Sequence, residues 1–257
     1  MTLQELLWGP SRYVAGTPWR ATWAVAATIL ILVAAQLVAA ALFALLTGLG
    51  ARELPMRPVG SAGADGAVWV LMLWLVLTQA AAIVLVLIAA HLFGGRPRQV
   101  LRLTTAGAGP RTLAHAVLLM AVVLGSYNAL VYVLRPSDML DDLQLYLGFI
   151  RSEAWLLAGL AIGVGAPLME EFLFRGFLQS ALTRSRIGFW PGALLATAAW
   201  TALHWGYSVV GLAEVFLIGL YFSWLLWRTG SLLPALFCHA LYNSGLMLVL
   251  RWAPLPV

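Results

Sequence analysis

Long apolar runs with very few charges set the first constraint on this chain. Seven stretches, at about 21–48, 67–93, 112–134, 154–183, 189–205, 208–227 and 231–250, approach the length of a membrane span. A helix needs ~20 mostly apolar residues to cross a ~30 Å hydrocarbon core. Charged residues make up 10% of the sequence, against roughly 25% in a water-soluble domain, so most of the chain has no water to face. The expected fold is all-α, a polytopic transmembrane helix bundle of about seven spans. The first run is too long for a signal peptide and follows a tail holding Trp8, Pro10, Pro18 and Trp19, so it reads as an uncleaved anchor.

The connections carry the turn and charge signals. Residues 49–66 are rich in Gly and Pro and read as a loop. Residues 94–111 hold four arginines and no acid. Residues 135–153 alternate Asp138, Asp141, Asp142 and Glu153 with Leu140, Leu143, Leu147 and Ile150, the pattern of a short amphipathic surface helix. Pro136 and Ser137 are its expected opening caps.

All fifteen cationic residues are arginine, which suits a GC-rich bacterial genome. Arg12, Arg20, Arg96, Arg98, Arg102, Arg111, Arg184, Arg186 and Arg228 fall in the N-terminal tail and the even-numbered connections. The positive-inside rule then puts the N-terminus in the cytoplasm of an inner-membrane protein, and seven spans would put the C-terminus outside. The net charge of +5 is spread in ones to threes rather than along a basic stripe, which excludes a nucleic-acid partner and leaves the lipid bilayer. The single Cys238 rules out an intrachain disulfide and a cysteine-rich metal site.

Against this background the intramembrane polar groups are the informative ones, since each costs a few kcal/mol at the centre of a span. Glu170, Glu171 and Arg175 fall in the fourth run; Glu171 and Arg175 are four apart and share a helical face, as an ion pair requires. Glu170 points ~100° away, so one carboxylate can be held while its neighbour faces a cavity. Pro167 is placed to kink the helix just before them. Trp200 and His204 repeat the four-residue step, as do His239 and Asn243. His91 and His115 read as interfacial residues and Glu214 as a structural or interfacial contact. Ser126, Tyr127 and Asn128 could line a cavity, although packing is the first reading. Taken alone, the carboxylate pair would equally suit a proton- or ion-coupled transporter.

In order, these segments resemble the CAAX protease and bacteriocin-processing (CPBP, or Abi) family of intramembrane peptidases. Its motifs, Glu-Glu-x-x-x-Arg, Phe-x-x-x-His and His-x-x-x-Asn/Asp, are matched by Glu170-Glu171-x-x-x-Arg175, Trp200-x-x-x-His204 and His239-x-x-x-Asn243. The resemblance covers about 150–250, and it departs from the family at Trp200, where the family has phenylalanine. It divides the chain into N-terminal membrane helices over 1–111 and a bundle over 112–257 that carries the motifs.

The resemblance implies an endopeptidase acting on a peptide or membrane-protein substrate. Glu170 and His204 would activate water, His239 and Asn243 would hold the oxyanion, and Glu171, Arg175 and Trp200 would support them from behind. A metal route through zinc or another divalent ion would use Glu170, His204 and His239 as a His₂Glu set; the absence of HExxH favours a metal-free glutamate mechanism. A catalytically idle immunity or scaffold protein is disfavoured because the motif set is complete. Counting along the spans separates His204 from Glu170 by ~10–15 Å in depth. A shared site therefore requires the fifth and sixth segments to be short or re-entrant.

Overall fold

The computed structural model describes residues 1–48 and 64–252, all helix and turn with no strand among them. The loop expected at 49–66 lies mostly outside the described residues. A short helix, α1 (Leu3–Trp8), is closed by a capping box between Thr2 and Glu5. The bundle follows as α2 (Ala21–Thr47), α3 (Ala64–His91), α4 (Pro110–Leu134), α5 (Pro136–Ile150), α6 (Trp155–Arg184), α7 (Phe189–Ala202), α8 (Val209–Thr229) and α9 (Leu233–Trp252).

Among the described residues, six helices are long and apolar enough to cross a membrane: α2, α3, α4, α6, α8 and α9. Their outward side chains are apolar: Leu37 is 67% exposed and Val133 75%. An apolar surface of this kind has no place in water and marks contact with lipid. The protein is therefore a multi-pass membrane protein. The fifth expected segment, 189–205, forms α7, a helix of 14 residues. At 1.5 Å per residue that is about 21 Å, short of the hydrocarbon core.

The centre of the bundle is α6, in which every residue of Glu171–Leu178 is buried. Two ends can be distinguished. At one, the N-terminal tail meets the end of α8, with the Arg12 N–H donating to Trp227 O at 3.1 Å, and Arg184 Nη1 donating to Thr17 O at 2.7 Å. At the other, Arg251 Nη1 near the end of α9 donates to Arg151 O at 3.3 Å, at the α5–α6 junction. The described chain thus begins and ends on opposite sides.

The amphipathic helix exists, but its start differs from expectation. Pro136 takes the first helical position, where its missing N–H costs nothing, and Arg135 occupies the N-cap. Ser137 bonds the Asp138 side chain rather than a backbone N–H, so it does not cap. The local order comes instead from the Arg135–Asp138 ion pair at 3.1 Å.

Candidate active site

The helix that carries the glutamate pair is not a regular α-helix. It widens into π turns at Ala161–Gly165 and again at Glu171–Leu178, on either side of Pro167 and Glu170. Pro167 brings no N–H to the ladder, and a carbonyl left unmet in an apolar medium costs several kcal/mol. Side chains of two other helices meet the carbonyls upstream. Gln79 Nε2 on α3 donates to Ala161 O at 3.0 Å, Asn243 Nδ2 on α9 to Ile162 O at 3.0 Å, and Ser244 Oγ to Gly163 O at 3.2 Å. The turn that ends in Glu170 is therefore clamped from both sides. Asn243 gives one of its two amide hydrogens to this clamp, a structural duty that the motif alone does not disclose.

Beyond Pro167 a chain of contacts runs from the buried interior to the cavity wall. Arg175 Nη1 pairs with Glu171 Oε1 at 3.0 Å, both side chains fully buried. The same Glu171 oxygen stands 3.0 Å from His239 Nδ1, and His239 Nε2 lies 3.8 Å from Glu170 Oε2. With a carboxylate on Nδ1, that nitrogen carries the hydrogen, and Nε2 is turned to Glu170. Trp200 closes the line by donating its indole N–H to Glu170 Oε2 at 2.7 Å. Phenylalanine could not make this bond, so the residue at which the chain departs from the family motif touches the expected base directly.

Aromatic faces hold the line in place. The Arg175 guanidinium lies 4.1 Å from the Trp200 ring centroid, a cation–π contact that is strong when desolvated. Phe222 stacks on His239 with centroids 4.8 Å apart. All this is packed against Gly219 of α8. A Cβ there would come within 2.6 Å of Arg175 Nη2 and 2.7 Å of Thr197 Cγ2. Gly219→Ala is expected to push the guanidinium off Trp200, costing roughly 1–3 kcal/mol by overpacking and most of the activity. A variant whose thermal midpoint and activity match wild type would show that α8 can retreat.

His204 sits in the turn that follows α7. Its Nδ1 is 3.1 Å from Trp200 O, and because a carbonyl only accepts, Nδ1 carries the hydrogen and Nε2 the lone pair. The short α7 resolves the expected depth mismatch: His204 lines the same cavity as Glu170 and His239. It makes no hydrogen bond or ion pair with Glu170; Trp200 links them, its ring centroid 5.1 Å from that of His204.

The cavity has a volume of about 650 Å³ and takes Glu170, Trp200, His204, His239 and Asn243 into its wall. Glu171 and Arg175 lie behind that wall; His91 and His115 are elsewhere. Polar residues for which packing or an unrelated contact is the first sequence reading also line it. Tyr127 and Asn128 of α4 face the cavity. Asn128 Nδ2 and Tyr242 OH both donate to Glu214 Oε1, at 2.7 and 2.8 Å. Asp142 of α5 accepts from the Ser208 N–H and hydroxyl at 2.7 and 2.6 Å, tying the amphipathic helix to the start of α8. The one sequence signal for Tyr242 was its place inside the His239-x-x-x-Asn243 step. Tyr146 of α5 also lines the wall; burial, reinforced by Glu170 and Asp142, raises its phenol, which stays a neutral hydroxyl. Among the described residues, no arginine lines this cavity.

The residues that a metal route would use, Glu170, His204 and His239, are not grouped as a three-ligand set. Among the described residues no three His, Cys, Asp or Glu side chains are grouped to hold a metal ion. Glu170 and His239 supply two donors, with Trp200 already on the carboxylate. These residues do not fit a three-ligand divalent site, and no step is derived through one.

Residues 152–245 match the family model described as type II CAAX prenyl endopeptidase Rce1-like, in agreement with the resemblance carried by the motifs. The chain is 40% identical over 87 residues to an uncharacterized 24.3 kDa protein of Escherichia coli. That match covers 33% of this chain and 40% of the relative's length. No solved structure matches. The matched stretch takes in Glu170, Glu171, Arg175, Trp200, His204, His239 and Asn243.

Proposed function

We propose that this protein is an intramembrane endopeptidase in which Glu170 is the general base for a metal-free attack of water on a peptide bond. The observation that carries the reading is His239, set between two carboxylates, Glu171 at 3.0 Å and Glu170 at 3.8 Å, on the wall of a cavity inside an apolar bundle. An ion pair needed only for packing would not present one carboxylate and two imidazoles to an open space.

Glu170 takes a proton from a water molecule as its oxygen attacks the carbonyl carbon. The Trp200 N–H fixes the carboxylate, leaving Oε1 for the water. His204, with Nε2 carrying the lone pair, orients that water or shares its proton. The oxyanion is held by the second amide hydrogen of Asn243 and by His239 in its doubly protonated form, Nδ1–H to Glu171 and Nε2–H to the oxyanion. Glu170 then returns the proton to the leaving amine. Glu171 and Arg175 act through His239.

The cavity is lined by the ends of the helices away from the arginine-rich side. With that side in the cytoplasm of the inner membrane, the substrate is a peptide segment or membrane protein presented from the outer half. The test is a comparison of membrane and extracellular peptides between a wild-type strain and one carrying Glu170→Gln. Peptide termini present only in the wild type identify the cleavage site. The purified enzyme should then cleave that peptide equally with and without a strong chelator. Identical peptide profiles, with the variant protein present in the membrane, would dismiss the enzyme reading; chelator-sensitive cleavage would dismiss the metal-free one.

A further inference from the structure

At the end of the bundle away from the glutamates, a second concavity of about 360 Å³ is lined by Arg12, Arg98, Gln99 and Arg102, with Thr104 and the backbone around Gly230. Three arginines from different segments line it. Arg12 lies in the N-terminal tail, Arg98 on a single helical turn (Pro97–Val100) and Arg102 just beyond it. Among the described residues no acid lines the pocket, and none of the three arginines is ion-paired. The carboxylate that feels Arg12, Glu5, is spent on the Thr2 N–H at 2.8 Å.

The other cations at this end show what a structural arginine looks like. Arg228 donates to the carbonyls of Glu5, Leu6 and Gly9, and Arg184 to that of Thr17. The side chains of Arg12 and Arg98, by contrast, make no hydrogen bond or ion pair among the described residues. Arg102 is built into place. Its backbone adopts φ 55, a left-handed conformation rare for a non-glycine residue. Its carbonyl accepts from the Leu232 N–H at 3.0 Å, and its Nε donates to Gly230 O at 2.9 Å. Only Nε is spent, so both terminal NH₂ groups remain. Gly230, at φ 67, lets the tail close in; a Cβ there would meet Arg12 O at 2.4 Å.

Like charges gathered in a concavity repel unless an anion joins them, and the arginine fork matches phosphate oxygens in geometry. The pocket lies level with the ends of α3, α4 and α8, the depth at which a lipid phosphate sits. We propose that Arg12, Arg98 and Arg102 form a phosphate-binding site, taking the phosphate ester of an anionic lipid headgroup or a soluble phosphate. It is separate from the glutamate site and does not rest on the peptidase reading.

The test uses the full-length protein in detergent, with native mass spectrometry to count retained phosphatidylglycerol or phosphatidylcholine, and phosphorus NMR to follow inorganic phosphate. Variants are Arg98→Gln and the Arg12→Gln/Arg98→Gln pair, all exposed positions, with exposed Arg20→Gln as the control for general membrane charge. Wild type is expected to retain phosphatidylglycerol over phosphatidylcholine, with about tenfold weaker retention for each arginine lost and no change for Arg20→Gln. Inorganic phosphate that binds without lipid retention, and is lost in the same variants, assigns the soluble source. Equal retention of both lipids together with no phosphate binding, or binding unaltered in the double variant, would overturn the site.

Discussion

Glu170→Gln is expected to lower the turnover number for a cleaved peptide by about 10²–10⁴-fold, the usual contribution of a positioned general base. The change is nearly isosteric. Glutamine keeps an oxygen that can accept the Trp200 N–H, now at 2.7 Å from Glu170 Oε2, so the wall of the cavity should survive and KM should move little. What is lost is the capacity to take a proton. Rates for wild type and variant on one peptide in the same detergent, with unfolding curves for both, decide the matter. A folded variant within about threefold of wild-type turnover would mean that some other group activates the water.

Arg175→Met is expected to have the largest effect on stability. Arg175 and Glu171 are both fully buried and paired at 3.0 Å, and removing one partner of such a pair costs about 3–5 kcal/mol because the other charge is stranded. The double change Glu171→Leu/Arg175→Met should recover much of that loss, since an apolar pair of similar volume has no charge to strand. Activity should not recover, because His239 Nδ1 then has no acceptor and the ring loses its fixed orientation. Thermal unfolding and peptide cleavage, measured on all three variants, separate the two roles. An Arg175→Met protein that unfolds with wild type would show that Glu171 finds another partner; a double variant with full activity would show that His239 needs no anchor.

The costly polar residues were legible because an apolar sequence gives them nothing to hide among. Glu170, Glu171, Arg175, His204, His239 and Asn243 stand out for that reason alone, and the four-residue steps place their partners on a shared face. The Glu171–Arg175 pair follows from this local geometry and is present as expected. Tyr127, Asn128 and Tyr242 were not legible in the same way. Tyrosine and asparagine in a span serve equally well as packing or interhelical bonds, and only the neighbour across the gap distinguishes them, Glu214 for Asn128 and Tyr242 and the Val210 carbonyl for Tyr127. Gln79 was overlooked because the first half of the chain matches no motif; its role depends on a carbonyl of α6 that the local sequence does not mark as unmet.

The sequence alone determined that the chain is a bundle of membrane helices, which of its connections are rich in arginine and which polar residues stand out within its spans. These follow from the transfer cost of individual residues and from the helical repeat, both local properties. Tertiary structure decided what those residues touch: the short α7 that brings His204 into the cavity of Glu170 and His239, the indole on Glu170, the carboxylate behind His239 and the clamp around Pro167. Each depends on the distance between groups far apart in the chain, which packing sets and no local pattern encodes.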